Sequence, residues 1–303
     1  MRPTFVQLEA FYWIARLGSV KEAARHLNVA PPTISLRIDQ LESELGSPLL
    51  ERAGRGLALT PRGEALVPRV AQVIEQYGQI REAMSGEEQY IGILRVGVTE
   101  TFAQACLPAF MRALGLRHPS LQFEFVVRTS AELEREVLER SLDVAFAINP
   151  TGDPKLTLVP LGIQAVTWAA AKSFHLPSPL HPSHLKGVLV ITNTHPAPMW
   201  RQITEWFREA GLEPSLVCRC SSPIVVARLV TEGLGVSLLP RLLVQQAIAK
   251  GDVRALESAV ALHPSRMFAV YRFGEGSRFL QEVIEIGSRV TRETKLIDGT
   301  DPA

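Results

Sequence analysis

Residues 19–46 read SVKEAARHLNVAPPTISLRIDQLESELG, an order that predicts two helices joined by a tight turn. Ser19 followed by Glu22 is a capping box, in which hydroxyl and carboxylate each satisfy an orphan amide at a helix start. Ala23, Ala24 and Leu27 then form one inward face, and the alanines let another helix approach closely. Asn28-Val29-Ala30 makes the turn. Pro31 and Pro32 stand where the first turn of a helix tolerates missing amide donors. Ile34, Ile38, Leu41 and Leu45 recur at helical spacing as a buried stripe, which leaves Thr33, Ser35, Arg37 and Gln40 on other faces. This is the helix-turn-helix design, with a groove-facing helix from Pro32 to Leu45.

Outward from this pair, Val6, Leu8, Phe11, Ile14, Ala15 and Leu17 predict a preceding helix, capped by Thr4 and ended by Gly18. On the other side, LLERAGRGLALTPRG (49–63) interleaves Arg52, Arg55 and Arg62 with Gly54 and Gly56. Glycines allow a sharp hairpin, and arginines beside it reach phosphates or the minor groove, so the segment reads as a wing. An ordinary solvated loop is the other reading. Thr60 and Pro61 open a long helix in which Leu66, Val70, Val73, Tyr77, Ile80 and Met84 alternate at four and three residues. That is a coiled-coil seam for a second copy of the chain, unless it packs on the protein's own domain. Pro68 lies inside this helix and is expected to kink or loosen it.

The stretch from Leu8 to Leu66 resembles the LysR-type transcriptional regulators. The matching features are the Ala23-Ala24 pair, Ser35, Leu41-Glu42 with Leu45-Gly46, Leu49 to Arg52, and Leu59 to Gly63. The resemblance implies a regulator that binds double-stranded promoter DNA as a homodimer or homotetramer, with RNA polymerase as a further partner. The chain departs from the family where it has Pro31 in place of a frequent Gln and Leu36 in place of a frequent Arg. Leu36 cannot bond guanine, and Arg37 is the candidate to take over. The DNA-contacting set is therefore Pro32, Thr33, Ser35, Leu36, Arg37, Arg52 and Arg55.

After the polar segment GEEQ (86–89) the rhythm changes. Strands at ILRVGV, LQFEFVV, DVAFAI, QAVTWAAA, GVLVIT, SLVCRC, GVSLLP and SRMFAVYR alternate with helices, which indicates open, mostly parallel sheets. A single helix is expected to carry Phe102, Leu107, Phe110 and Leu114, and the tail after about Thr294 is expected to fray. The family's effector domain implies two α/β lobes, similar in fold to periplasmic binding proteins. The chain is thus an α/β protein in three parts: a winged helix-turn-helix (1–63), a linker and dimerisation helix (64–90) and an effector-binding domain (91–303). Lobe I covers about 91–163 and 266–303, and lobe II about 164–265.

In open α/β sheets ligands sit at the carboxyl ends of strands, where helix starts present free amides. Those places are Thr99, Glu100 and Thr101; Thr129 and Ser130; Asn149; Thr192 and Asn193; and Ser221. Each hydroxyl is equally explicable as a helix cap. A set of hydroxyls and amides without a fixed cation suits a small carboxylate. Glu100, if it faces the cleft, would instead welcome an amine or amino acid. His195, Met199 and Trp200 offer an apolar or stacking wall.

Composition excludes several other classes. With 303 residues, 46% hydrophobic and 21% charged, the chain has room for more than one core. The absence of a leader-like start or a bilayer-length apolar run suggests a cytoplasmic protein. Cys106, Cys218 and Cys220 read as buried small hydrophobes. His181 and His184 lie in a proline-broken segment that suits no metal, and no catalytic or cofactor motif is present. Neither an enzyme nor a cofactor is expected. A solute-binding module with a helical dimerisation head and no DNA role is the alternative function.

Overall fold

The computed structural model describes residues 2–53, 56–83 and 93–298, which fall into two units, Met1–Glu88 with Phe273–Arg278 and the remainder. In the first, α1 (Phe5–Leu17), α2 (Val20–His26) and α3 (Pro31–Leu45) enclose Ala10, Phe11, Ile14, Ala23, Ala24, Ile34 and Leu41. Gly18, at φ 67°, ends α1 by donating its N–H to Ile14 O, a left-handed closure that suits glycine. The capping box of α2 is only half made. Ser19 Oγ accepts from Glu22 N at 3.5 Å, while the Glu22 carboxylate pairs with Arg25. The stripe of α3 also stops early: Leu45 is 40% exposed, because Gly46 turns the chain away directly after it.

Strands β1 (Leu50–Ala53) and β2 (Gly56–Leu59) pair antiparallel as the hairpin. Glu42 ties this hairpin to α3, since its Oε1 accepts from Leu49 N at 2.7 Å and Leu50 N at 3.0 Å. Helix α4 (Pro61–Ala83) starts where Thr60 Oγ1 accepts from Gly63 N, and it continues through Pro68. The seam expected along α4 divides. Val70 is 2% exposed, and with Ile74 it belongs to the core of this unit, because the start of α4 lies against α1. Leu66 is partly buried there too, whereas Val73, Tyr77 and Ile80 are exposed. Met84 lies outside the described residues.

The second unit holds two five-stranded sheets. The first lobe runs β3 (Ile93–Val98), α5 (Glu100–Ala105), α6 (Leu107–Arg117), β4 (Gln122–Val127), α7 (Ser130–Leu138), β5 (Val144–Ile148) and β6 (Leu156–Gln164). The second runs β7 (Val166–Ala171), β8 (Leu189–Thr192), α8 (Pro198–Glu209), β9 (Leu216–Arg219), α9 (Pro223–Thr231), β10 (Val236–Pro240), α10 (Arg241–Lys250) and β11 (Val253–Leu256). Then β12 (Ser265–Arg272) and α11 (Arg278–Glu293) return to the first lobe. The sheet orders are β4-β3-β5-β12-β6 and β11-β7-β10-β8-β9.

Neither sheet is mostly parallel. β3, β4 and β5 are parallel, but β12 runs antiparallel to β5 and β6. β8, β9 and β10 are parallel, but β7 runs antiparallel to β10 and β11. The antiparallel pairs arise where the chain crosses between lobes and re-enters a sheet from its far end. β6 escaped sequence reading because Pro160 and Gly162 interrupt it. An edge strand accommodates such a proline, because its N–H need not serve the ladder.

The single helix expected over 102–114 is two, α5 and α6, meeting at Cys106 just before Pro108, whose ring disfavours an unbroken helix. The tail is ordered further than expected. Leu296 and Ile297 are buried in the first lobe, and Asp298 N donates to Ile163 O at 2.7 Å. Burial also pushes the Cys106 thiol up to about 11, against a smaller opposing effect of Thr294. Since the thiolate is the reactive form, Cys106 is expected to stay unlabelled by a thiol reagent at pH 8 in the folded protein. It should react only in denaturant, while the half-buried Cys218 and Cys220 react first. Labelling of Cys106 in native buffer at the rate of the other two would refute this.

Candidate functional site

In the first unit, α3 has a buried and an exposed face. Because Ile34, Ile38 and Leu41 face inward, Pro32, Ser35, Leu36, Asp39 and Gln40 of α3 are exposed. Leu36, at 57% exposed, is an apolar side chain where burial would be the default. Thr33 and Arg37 are half-buried. Arg37 lies close enough to α1 to act on Glu9, whose carboxyl is raised above the usual range by burial and pulled back by that guanidinium. Arg52 is exposed on β1, opposite Leu57. Arg62 donates to Ser47 Oγ, so it braces the end of α3. Arg55 lies outside the described residues.

The second unit contains a cleft of 620 Å³ between its lobes, within the range of small-molecule sites. Seven residues expected at helix starts line it: Thr99, Glu100, Thr101, Thr129, Ser130, Asn193 and Ser221. Two do not. Asn149 is a structural strap, accepting from Arg266 N through Oδ1 at 2.8 Å and donating to Pro264 O. Thr192, 3% exposed, ends β8 below the cleft wall, and its carbonyl accepts from Cys220 N.

The lining hydroxyls differ in what they have left to offer. Thr129 Oγ1 accepts from Glu132 N and donates to Glu132 Oε2 at 2.7 Å, so its one proton is spent within the cap. These bonds hold the Glu132 carboxyl below the usual range. Ser130 Oγ accepts from Ile148 N at 3.0 Å. Asn193 Nδ2 donates to the carbonyls of Cys220 and Ser221, which shapes the loop before α9. Thr99 makes no cap bond, and its Oγ1 is buried without a partner. Glu100 does face the cleft: its Oε1 accepts from Ser222 Oγ at 2.7 Å, across 122 residues of chain and from one lobe to the other.

Several lining residues were not anticipated. Gln164 is 4% exposed at the end of β6, with Nε2 buried and unpartnered. Gln202 donates to His263 O and Ser265 Oγ. The apolar wall comes from Ile148, Val166, Met199 and Leu238. His195 lines the cleft, and Trp200 stands edge-on behind it with ring centroids 4.6 Å apart. Only the failure to read β6 as a strand hid Gln164, since a polar residue at a strand's carboxyl end is the signal used for the others. Among the described residues, no group of three or more His, Cys, Asp or Glu is placed to hold a metal. No helix there is long and apolar enough to cross a membrane.

Residues 5–64 match the family model of the bacterial regulatory helix-turn-helix proteins of the lysR family, and residues 87–290 match that of the LysR substrate binding domain. The HTH-type transcriptional regulator CzcR of Bacillus anthracis is 26% identical over 247 residues, covering 81% of this chain and 83% of that protein. GltR of Bacillus subtilis is 27% identical over 248 residues, covering 82% and 83%. Among solved structures, full-length OxyR of Pseudomonas aeruginosa aligns with a TM-score of 0.59 at 20% identity, covering 100% of this chain and 99% of that one. CbnR complexed with its target DNA aligns with a TM-score of 0.51 at 23% identity, covering 95% and 99%. These two structures share the fold of this chain.

Proposed function

Since the chain belongs to the LysR family of transcriptional regulators, we propose that its head grips promoter DNA as a homodimer or homotetramer, under control of a small carboxylate in the cleft. The chain is a DNA-binding regulator with an effector-binding domain; the contacts, the assembly and the effector's chemistry are the proposal. The observation that carries it is the division of α3 into a buried stripe and an exposed face. Pro32, Ser35 and Leu36 on that face enter the major groove, Ser35 as a hydrogen-bonder and the other two against thymine methyl groups. Thr33 and Arg37 flank it, and the wing arginines Arg52 and Arg55 reach phosphates.

Among the described residues of α4, Val73 and Ile80, with the part of Tyr77 that is not stacked on Phe5, are available to a second copy, as the pairing of two heads on successive major grooves requires. The effector acts by binding one closure of the lobes better than another, which shifts the spacing of the heads.

The test is binding of the full chain to fragments of bacterial promoter DNA, read by fluorescence anisotropy across salt concentrations. Affinity should fall steeply with salt, and Arg52→Ala should reduce the logarithmic slope by about 1, as expected for one lost phosphate contact. Leu36→Arg should change which sequences are selected. Binding that ignores salt, or survives Ser35→Ala with Leu36→Ala unaltered in sequence preference, would refute the α3 assignment.

A further inference from the structure

We propose that the cleft's ligand carries an ammonium group beside its carboxylate, with Glu100 receiving the ammonium and Gln164 and Thr99 the carboxylate. The effector is then an amino acid or a close zwitterionic analogue. This rests on the reading of the cleft as the effector site and adds the ligand's chemistry to it.

The first argument is charge. Glu100, Glu132 and Arg128 are the acidic and basic residues that line the cleft, apart from the imidazole of His195. All three have partners within the protein. Arg128 Nη1 donates to Val127 O at 2.9 Å, and its Nε lies 3.6 Å from Glu136. Glu132 is held by the backbone and hydroxyl of Thr129, which keeps it charged. Glu100 keeps a carboxylate oxygen in hand, because only Oε1 is taken, by Ser222 Oγ. A ligand bearing a carboxylate alone would enter a site whose side chains set two carboxylates against one guanidinium. An ammonium on the same ligand turns that repulsion into a charge-assisted hydrogen bond.

The second argument is an unmet donor. Gln164 Nε2 and Thr99 Oγ1 are buried without partners in the cleft wall, and buried polar groups in native proteins are paired with few exceptions. An amide N–H requires an acceptor, and a carboxylate is the strongest one a small metabolite offers. Thr99 adjoins Glu100 in the chain, and both line the same cleft as Gln164. The apolar wall of Ile148, Val166, Met199 and Leu238 then receives the side chain. In a cleft of 620 Å³ that side chain can be large.

The experiment uses the full chain in a thermal-shift and calorimetric panel. The probes are the common amino acids, each beside its deaminated carboxylic acid and its decarboxylated amine. At least one amino acid should raise Tm, with both of its truncated counterparts binding tenfold or more weakly. Glu100→Gln should weaken that amino acid on the order of 10- to 100-fold, the scale of a hydrogen bond to a charged group, while leaving the deaminated acid no weaker. Gln164→Leu should do the converse and spare the amine.

A deaminated acid that binds wild type as tightly as its amino acid overturns the zwitterion and leaves the effector cleft standing. A panel in which no amino acid shifts Tm also overturns it. If no acid or amine binds either, yet the chain still holds promoter DNA with a steep salt dependence, the small-carboxylate cleft falls with it while the DNA reading survives. The wild-type panel decides the matter even if a variant fails to fold.

Discussion

Gly63→Ala is expected to destabilise the DNA-binding head and to weaken DNA binding, although an alanine for glycine in a helix ordinarily stabilises. Gly63 sits in the first turn of α4, and a Cβ there would lie 2.2 Å from the carbonyl oxygen of Leu49 and 3.1 Å from Leu59 Cδ2. The close atom is backbone and cannot rotate aside. It is also the acceptor for Thr60 N at 3.0 Å, the bond that closes the hairpin base next to the Leu50–Leu59 pair. To admit the methyl, the start of β1 must move from α4, and the two Glu42 bonds that hold it to α3 are disturbed with it. Overpacking of this kind costs about 1–3 kcal/mol.

Gly115 in α6 is the control, because a Cβ there meets nothing within 4 Å. Gly115→Ala should gain about 0.5–1 kcal/mol from helix propensity alone. Urea unfolding of both variants, with anisotropy on promoter DNA for Gly63→Ala, checks the opposite signs. A stabilising Gly63→Ala would show that the α4–β1 junction is looser than these distances require.

Phe146→Ala should be among the most destabilising truncations in the effector-binding domain, at about 3–5 kcal/mol. Phe146 on β5 is fully buried, stacks on Phe102 with centroids 4.7 Å apart and meets Phe110 edge-on at 5.4 Å. Gly287 of α11 also lies against the ring, and a Cβ there would fall 2.3 Å from Phe146 Cε1. The ring is wedged between two aromatic neighbours and a helix, so it cannot tilt to make room. Gly287→Ala alone should therefore destabilise as well. Combining Gly287→Ala with Phe146→Leu should cost less than the sum of the two, by about 1 kcal/mol or more, since residues in contact couple. Strict additivity in urea midpoints would mean that α11 does not rest on the Phe146 ring.

Much of the fold was legible because its signals are local. Capping residues, the double proline that opens α3 and the glycines after α1 and α3 act within a few residues of chain. The α/β alternation was equally plain, and so was the set of strand ends that supplies seven of the cleft residues. What escaped were features whose local signal was broken or ambiguous. Pro160 and Gly162 disguised β6, and with it Gln164. The stripe along α4 was visible, but periodicity states that one face is apolar and not what covers it. Val70 and Ile74 went to the chain's own core, Tyr77 stacks on Phe5 at its edge, and Val73 and Ile80 stay exposed. Asn149 and Thr192 stand at strand ends like the others, yet the turn of the chain there points them at backbone or into the lobe.

By itself, then, the amino-acid sequence determined the helix-turn-helix and the α/β alternation, which follow from short-range capping, turn and periodicity rules, while its resemblance to a known family implied the two lobes. Only the tertiary structure decided which polar groups are spent and which remain available. Thr129 spends its one proton on Glu132 three residues away, whereas Glu100 is reached by Ser222 from 122 residues along the chain and retains an oxygen. Whether a polar atom is satisfied depends on every neighbour that packing brings to it. Most of those neighbours are distant in sequence, so the chemistry of the cleft could be read only once the lobes were in place.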